Sequence, residues 1–184
     1  MKNKKILVGV TGGIAAYKTC SLVNMFLKEG AEVKVVMTKG ATNFVTPLTF
    51  QSLTHHQVYL DMWQVIDKED VEHISIAKWA DIIVISPATA NIIGKIANGL
   101  ADDMLSTVVM ATPKETPVLI IPAMNTKMWE NPIVQKNVKT LSEDKKYKFI
   151  DPRKGLLVCG DDGSGKIADN KDILEETKKI LSKK

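Results

Sequence analysis

The chain has 184 residues, 45% of them hydrophobic, enough to bury one core of ordinary density, so a single domain over residues 1–184 is expected. Its net charge of +4 is scattered over lysines without arginine–aromatic interleaving, which reads as solubility charge and argues against nucleic acid as a partner. No apolar window reaches membrane-spanning length, no leader pattern follows Met1, and Cys20 and Cys159 have neither disulfide-framework nor zinc spacing; a cytoplasmic protein with no membrane partner and no metal site is expected.

In chain order, Lys5–Val10 is a β-rich run that Thr11-Gly12-Gly13 breaks before a helical pattern with Ala15, Leu22, Val23 and Phe26 on one face. Gly30 ends that helix, and Glu32–Met37 supplies a second strand with Thr38 at its end, completing a βαβ unit. Between 41 and 70 the signal is weak: Thr46-Pro47 suggests a helix start and Val58–Leu60 a short strand. Asp81–Ser86 is the clearest strand, and Pro87–Asn91 turns it into a helix through Ile92, Ile93 and Ile96 to Gly99. Asp102-Asp103 opens another helix carrying Leu105, Val108 and Val109.

The continuous apolar run Val118–Pro122 predicts a buried central strand of a parallel sheet, since such strands are covered on both faces. Asn131-Pro132 begins a helix to about Leu141, and Lys148–Ile150 is a possible last strand. Residues 151–169 carry four glycines and no periodicity, which reads as a mobile polar loop able to close over a site. Ile173, Leu174, Thr177, Ile180 and Leu181 then mark a final amphipathic helix. The alternation predicts a doubly wound, mainly parallel α/β sheet of the three-layer Rossmann or flavodoxin type.

The chemistry should gather at the carboxyl ends of the strands, where open α/β sheets bind ligands. Gly12-Gly13 between strand and helix is a candidate phosphate cradle, yet it fits neither the Walker nor the dinucleotide fingerprint, which disfavours ATP and NAD. Three polar strand ends, Thr11–Gly13, Thr38 and Ser86–Asn91, converge and could jointly hold a phosphate; ordinary capping accounts for any one of them alone. Asn125 follows the Val118–Pro122 strand among Met124, Met128 and Trp129, either as a local helix cap or as an amide waiting for a ligand. His73 is either a structural residue on a helix face or a base, and Cys20 reads as core packing.

Four segments together carry a resemblance: Thr11–Lys18, His73 with Lys78–Asp81, Pro122–Trp129 and Leu157–Asp161. They resemble the phosphopantothenoylcysteine decarboxylases, which belong to the homo-oligomeric flavin-containing cysteine decarboxylases, and the Pro-x-Met-Asn-x-x-Met-Trp element is the most specific part. The resemblance implies FMN as cofactor, with contacts at Gly12, Gly13, Ile14, Thr38, Ser86, Thr89, Ala90 and Ala123. It implies His73 as base, Asn125 as the amide that orients the substrate carboxylate, and Cys159 as proton donor in a flap at about 151–169. Lys78 and Met128 become substrate contacts, Lys78 in some relatives from a neighbouring subunit.

The implied reaction converts the small molecule phosphopantothenoylcysteine to phosphopantetheine in coenzyme A biosynthesis. A cysteine carboxylate cannot simply lose CO2, because the carbanion left behind has no electron sink; oxidation to a thioaldehyde supplies one, and an enethiolate forms as CO2 leaves. The hydride is then returned, so the cycle is redox-neutral. A trimer or a multiple of trimers is implied. Many bacterial relatives continue into a synthetase domain, so the chain is expected to be either a stand-alone decarboxylase or one part of such a fusion. Three other readings compete: an oxidative decarboxylase of a peptide's C-terminal cysteine, a flavin prenyltransferase, and a catalytically silent regulatory flavin-binding subunit. The joint presence of His73, Asn125 and Cys159 argues against them.

Overall fold

The computed structural model describes residues 1–62, 72–156 and 162–183. Six strands form one parallel sheet: β1 (Lys5–Val10), β2 (Glu32–Met37), β3 (Val58–Tyr59), β4 (Ile82–Ala88), β5 (Val118–Pro122) and β6 (Tyr147–Phe149). Their order is β3-β2-β1-β4-β5-β6. The chain therefore winds one way from β1 and the other way from β4, so the switch point falls between these two strands. β4 is buried along its whole length and β5 likewise, as their unbroken apolar runs require.

Two apolar layers cover the sheet. On one face Ile6, Val8, Val33, Val35 and Val84 pack under α1 (Ala16–Lys28), α2 (Pro47–Thr54) and α8 (Asn170–Ser182), which contribute Phe26, Phe50 and Ile173. On the other, Leu7, Ile83, Ile85 and Ile120 pack under α3 (Glu72–Trp79), α4 (Ala90–Ala97), α5 (Met104–Ala111) and α7 (Pro132–Ser142). The alternation of Ile6 and Val8 with Leu7 between the two layers is the period-2 geometry of a strand. Gly30, with φ of +81°, lets the chain leave α1 and return into β2. No helix among the described residues is long and apolar enough to cross a membrane.

Three expectations are corrected. The strand expected over Asp81–Ser86 runs on through Pro87 to Ala88, because the pairing with β5 shifts register between Ile85 and Ala88 and relieves the proline of a ladder hydrogen bond. β5 is an inner strand, one place from the edge, not the middle of the sheet. The stretch expected to be an irregular loop contains an antiparallel hairpin, β7 (Arg153–Leu156) with β8 (Asp162–Lys166), so β6 is not the last strand. Its strands pair with each other outside the main sheet, and Arg153 is ion-paired with Asp169 at their base. Residues 157–161 between the two strands, Cys159 included, lie outside the described residues.

Candidate active site

The carboxyl edge of the sheet holds a cavity of about 540 Å³, within the range that encloses small-molecule ligands. Its walls come from four places: Gly12–Ala15 with Tyr17 and Lys18 at the start of α1, Thr89 and Ala90 at the start of α4, Ala123–Asn125 with Met128 after β5, and Gly165–Ile167 at the end of the hairpin. The first two walls are the turns that follow β1 and β4, so the cavity sits on the switch point.

Each wall has a local cause. Gly12 is needed because a Cβ there would stand 2.8 Å from the carbonyl carbon of Gly40, in the loop after β2. At Gly13 a Cβ would meet nothing closer than 3.9 Å, so this glycine leaves its backbone open to the cavity. Helix α1 starts at Ala16 with no side-chain cap; the N–H groups of Gly13, Ala16 and Lys18 donate to the carbonyls of Thr11, Gly13 and Ala15 within the turn, at 3.0, 2.9 and 3.0 Å. Helix α4 is capped by Thr89, whose Oγ1 accepts from the Ile92 N–H at 3.4 Å. The hairpin wall is tied to the β5 wall by the Met124 N–H, which donates to the Gly165 carbonyl at 3.1 Å. A Cβ on Gly163 would come within 2.6 Å of Thr126 Oγ1, so β8 can lie this close only with glycine there.

Asn125 fits its capping reading and stands at the cavity wall. Its Oδ1 accepts from the Lys127 N–H at 2.9 Å, capping the short helix α6 (Thr126–Trp129), and the residue also lines the cavity. With the oxygen engaged in the cap, the donor chemistry of the amide belongs to its NH2 end, which suits a carboxylate. Met124 and Met128 line the cavity beside it, whereas Trp129 does not.

Of the expected flavin contacts, Gly12, Gly13, Ile14, Thr89, Ala90 and Ala123 line the cavity; Thr38 and Ser86 do not. Thr38 follows β2 and donates its N–H to the Val10 carbonyl. Ser86 is fully buried, with its carbonyl accepting from Thr19 Oγ1 at 2.7 Å. Thr11 is likewise sealed inside, so among the polar strand ends the lining is made by backbone and by Thr89 rather than by three hydroxyls.

His73 and Lys78, five positions apart on α3, both stand outside the cavity lining. His73, partly exposed, is in the first turn of α3, the end directed toward the carboxyl side of the sheet. Lys78 adjoins Trp79, whose ring has Lys34 Nζ at 4.5 Å and Lys5 Nζ at 5.9 Å, from β2 and the start of β1. That places Lys78 near the amino edge of its own subunit. Cys20 packs against the core, and burial raises its thiol pKa, as expected for a structural cysteine. No cluster of metal-ligating side chains occurs among the described residues.

Sequence reasoning missed Gly165, Lys166 and Ile167 as a wall, and also Tyr17 and Lys18. The glycine-rich 151–169 segment was a signal that something closes there; nothing in its composition indicated paired strands.

The family model described as Flavoprotein matches residues 1–182. A coenzyme A biosynthesis bifunctional protein, CoaBC, of Bacillus subtilis is 45% identical over 179 residues, 97% of this chain but 43% of that protein. The chain thus spans less than half of its bifunctional relatives. A protein of Streptococcus mutans, named as a probable phosphopantothenoylcysteine decarboxylase, is 43% identical over 97% of this chain and 99% of its own length. Among solved structures, a cysteine-to-serine mutant of a PPC decarboxylase complexed with pantothenoylaminoethenethiol superposes with TM-score 0.87 at 34% identity, covering 98% of this chain and 100% of that one. The FMN-binding protein AtHal3 superposes with TM-score 0.85, also at 34% identity, covering 100% and 99%. Matched over nearly its whole length by the family model and by these relatives, the chain belongs to the flavoprotein family, with the phosphopantothenoylcysteine decarboxylases as its kin.

Proposed function

We propose that the chain is an FMN-dependent decarboxylase acting on phosphopantothenoylcysteine in coenzyme A biosynthesis. The observation that carries this reading is the switch-point cavity that brings an uncapped helix start and the Asn125 amide into one space. The residues fit the cofactor: the open space at Gly13 and the starts of α1 and α4 suit a phosphate, while Ile14, Ala123, Met124, Met128 and Ile167 offer apolar walls to a flat ring. Bound there, FMN supplies reversible hydride transfer. The relatives above 40% identity are named for coenzyme A biosynthesis or for this decarboxylation, which favours it over peptide-cysteine decarboxylation or a regulatory subunit.

Asn125 orients the substrate carboxylate through its NH2 end, and Met128 lines the substrate beside it. His73 takes the proton during the first oxidation, and Cys159 returns one to the enethiolate after CO2 has left. Thr38 and Ser86 act on FMN from behind the lining, by holding the turns that touch it. Residues 1–184 act as one domain, cytoplasmic, with the hairpin segment at about 151–169 as substrate flap.

His73 and Lys78 lie outside the cavity of their own subunit, so they serve a site completed by a neighbouring copy in a trimer or multiple of trimers. Exposed Met110 on α5 and Leu100 before it supply apolar surface for that contact. A trimer-based mass by light scattering is expected; a monomer retaining flavin and activity contradicts it. The function is tested by incubating the purified, flavin-loaded protein with phosphopantothenoylcysteine. Equal amounts of CO2 and phosphopantetheine are expected, and absence of both overturns the reading.

A further inference from the structure

One side chain between the two helix starts faces neither the cavity nor solvent. Thr11, directly after β1, is 1% exposed. Its Oγ1 donates to the Pro87 carbonyl at 2.7 Å and accepts from the Thr89 N–H at 3.1 Å. Pro87 lies at the end of β4 and Thr89 caps α4, so a single hydroxyl ties the turn that opens α1 to the turn that opens α4. A second tie sits in the first turn of α1, where the buried Thr19 Oγ1 donates to the Ser86 carbonyl at 2.7 Å. The Thr89 N–H is taken up by Thr11 and the Ile92 and Ile93 N–H groups by Thr89 itself, so beyond Thr89 it is Ala90 that faces the cavity on this turn.

We propose that Thr11 is a positioning residue for the anionic arm of the cofactor: its hydroxyl sets the gap between the starts of α1 and α4 into which the phosphate of FMN fits. The inference rests on the FMN reading above. Donor and acceptor are both needed, because the hydroxyl, carried on the turn that opens α1, must satisfy both a carbonyl and an N–H of the turn that opens α4. A side chain of the same shape without the oxygen leaves both groups unpartnered in a sealed place, and the turns move apart to find others. The flavin ring, held by the apolar walls, is not subject to that gap.

The test uses the full chain stripped of flavin and titrated with FMN and with riboflavin, the same ring system without the phosphate, with thermal melting in parallel. Thr11→Val is expected to weaken FMN binding at least about tenfold, and riboflavin binding by less than about twofold. Thr11→Ser, which keeps the hydroxyl, is expected to stay within about twofold of wild type for both. If Thr11→Val does not fold, Thr11→Ala carries the same comparison, since it opens space instead of enclosing a methyl group. Equal weakening of FMN and riboflavin, or FMN affinity that is indifferent to the loss of the hydroxyl, overturns the inference. A wild-type protein that takes up neither flavin overturns the cofactor reading itself, and this inference with it.

Discussion

The starts of helices α1 and α5 are built in opposite ways. At α5 the Asp103 carboxylate accepts from the Ser106 N–H at 2.9 Å and the Ser106 hydroxyl accepts from the Asp103 N–H at 3.3 Å, a full capping box. Lys95 Nζ adds ion pairs of 2.6 Å to Asp102 and to Asp103. At α1 there is no side-chain cap and no acidic residue in the first turn, and the start opens on the cavity. Helices α2 and α8 also lack a side-chain cap, so a missing cap marks nothing by itself. The lesson lies in the coincidence at α1: a helix start with neither side-chain cap nor acidic residue is reached by a cavity, while the start of α5 is closed by its own capping box and ion pairs.

The comparison breaks most directly at Gly13. Gly13→Asp has room for its Cβ and sets a carboxylate where the phosphate is proposed to sit. Two like charges about 5 Å apart at an effective dielectric near 20 repel by roughly 3 kcal/mol, so FMN affinity is expected to fall by about a hundredfold or more. The flavin-free variant should melt no lower than wild type, since an anion at a helix start is favourable by about 0.3–1 kcal/mol. Flavin fluorescence titration and thermal melting report the two effects separately. Asn125→Asp is next in size: aspartate caps α6 as well as asparagine does, so the fold and FMN affinity are kept, while kcat/KM falls roughly ten- to a hundredfold as charge opposes the substrate carboxylate.

The converse change at α5 affects stability alone. Asp103→Ala removes the cap and one of the two carboxylates beside Lys95, and is expected to cost about 0.5–2 kcal/mol in urea denaturation with FMN affinity unchanged. The smallest effect is in pH. Burial opposes ionisation of Asp103, but hydrogen bonds from Lys95 and Ser106 outweigh it and hold the carboxyl below the usual carboxylate range. Its contribution is therefore complete above about pH 4 and is lost as pH falls through the depressed folded value. Asp103→Asn, which caps without titrating, should show a shallower loss of stability in acid than wild type.

Most of the sheet was legible because its strands are covered on both faces: Ile82–Ile85 and Val118–Ile121 leave no choice of exposed side. Asn131-Pro132 declared its helix by local chemistry, and Asn131 Oδ1 does accept from the Ile133 N–H. The hairpin was not legible, because Gly155, Gly163 and Gly165 carry no side chains to alternate, and part of what seats it is the contact of Gly163 with Thr126, distant in sequence. Thr11 and Ser86 looked like ligand hydroxyls since composition cannot say which way a side chain faces. His73 and Lys78 were both candidate site residues, yet they sit five positions, about 7.5 Å, apart along α3 and neither lines the cavity.

The central claim, that a substrate is oxidised, decarboxylated and reduced again over one flavin, is tested by mixing flavin-loaded protein with phosphopantothenoylcysteine without oxygen, following flavin absorbance while CO2 is collected. Wild type should release CO2 over many turnovers with the flavin ending oxidised. Cys159→Ser should release about one equivalent of CO2 and stall with the flavin bleached, and His73→Asn should do neither at a comparable rate. CO2 release with no flavin bleaching in Cys159→Ser at any time, or a complete cycle at the wild-type rate in both variants, would contradict the account.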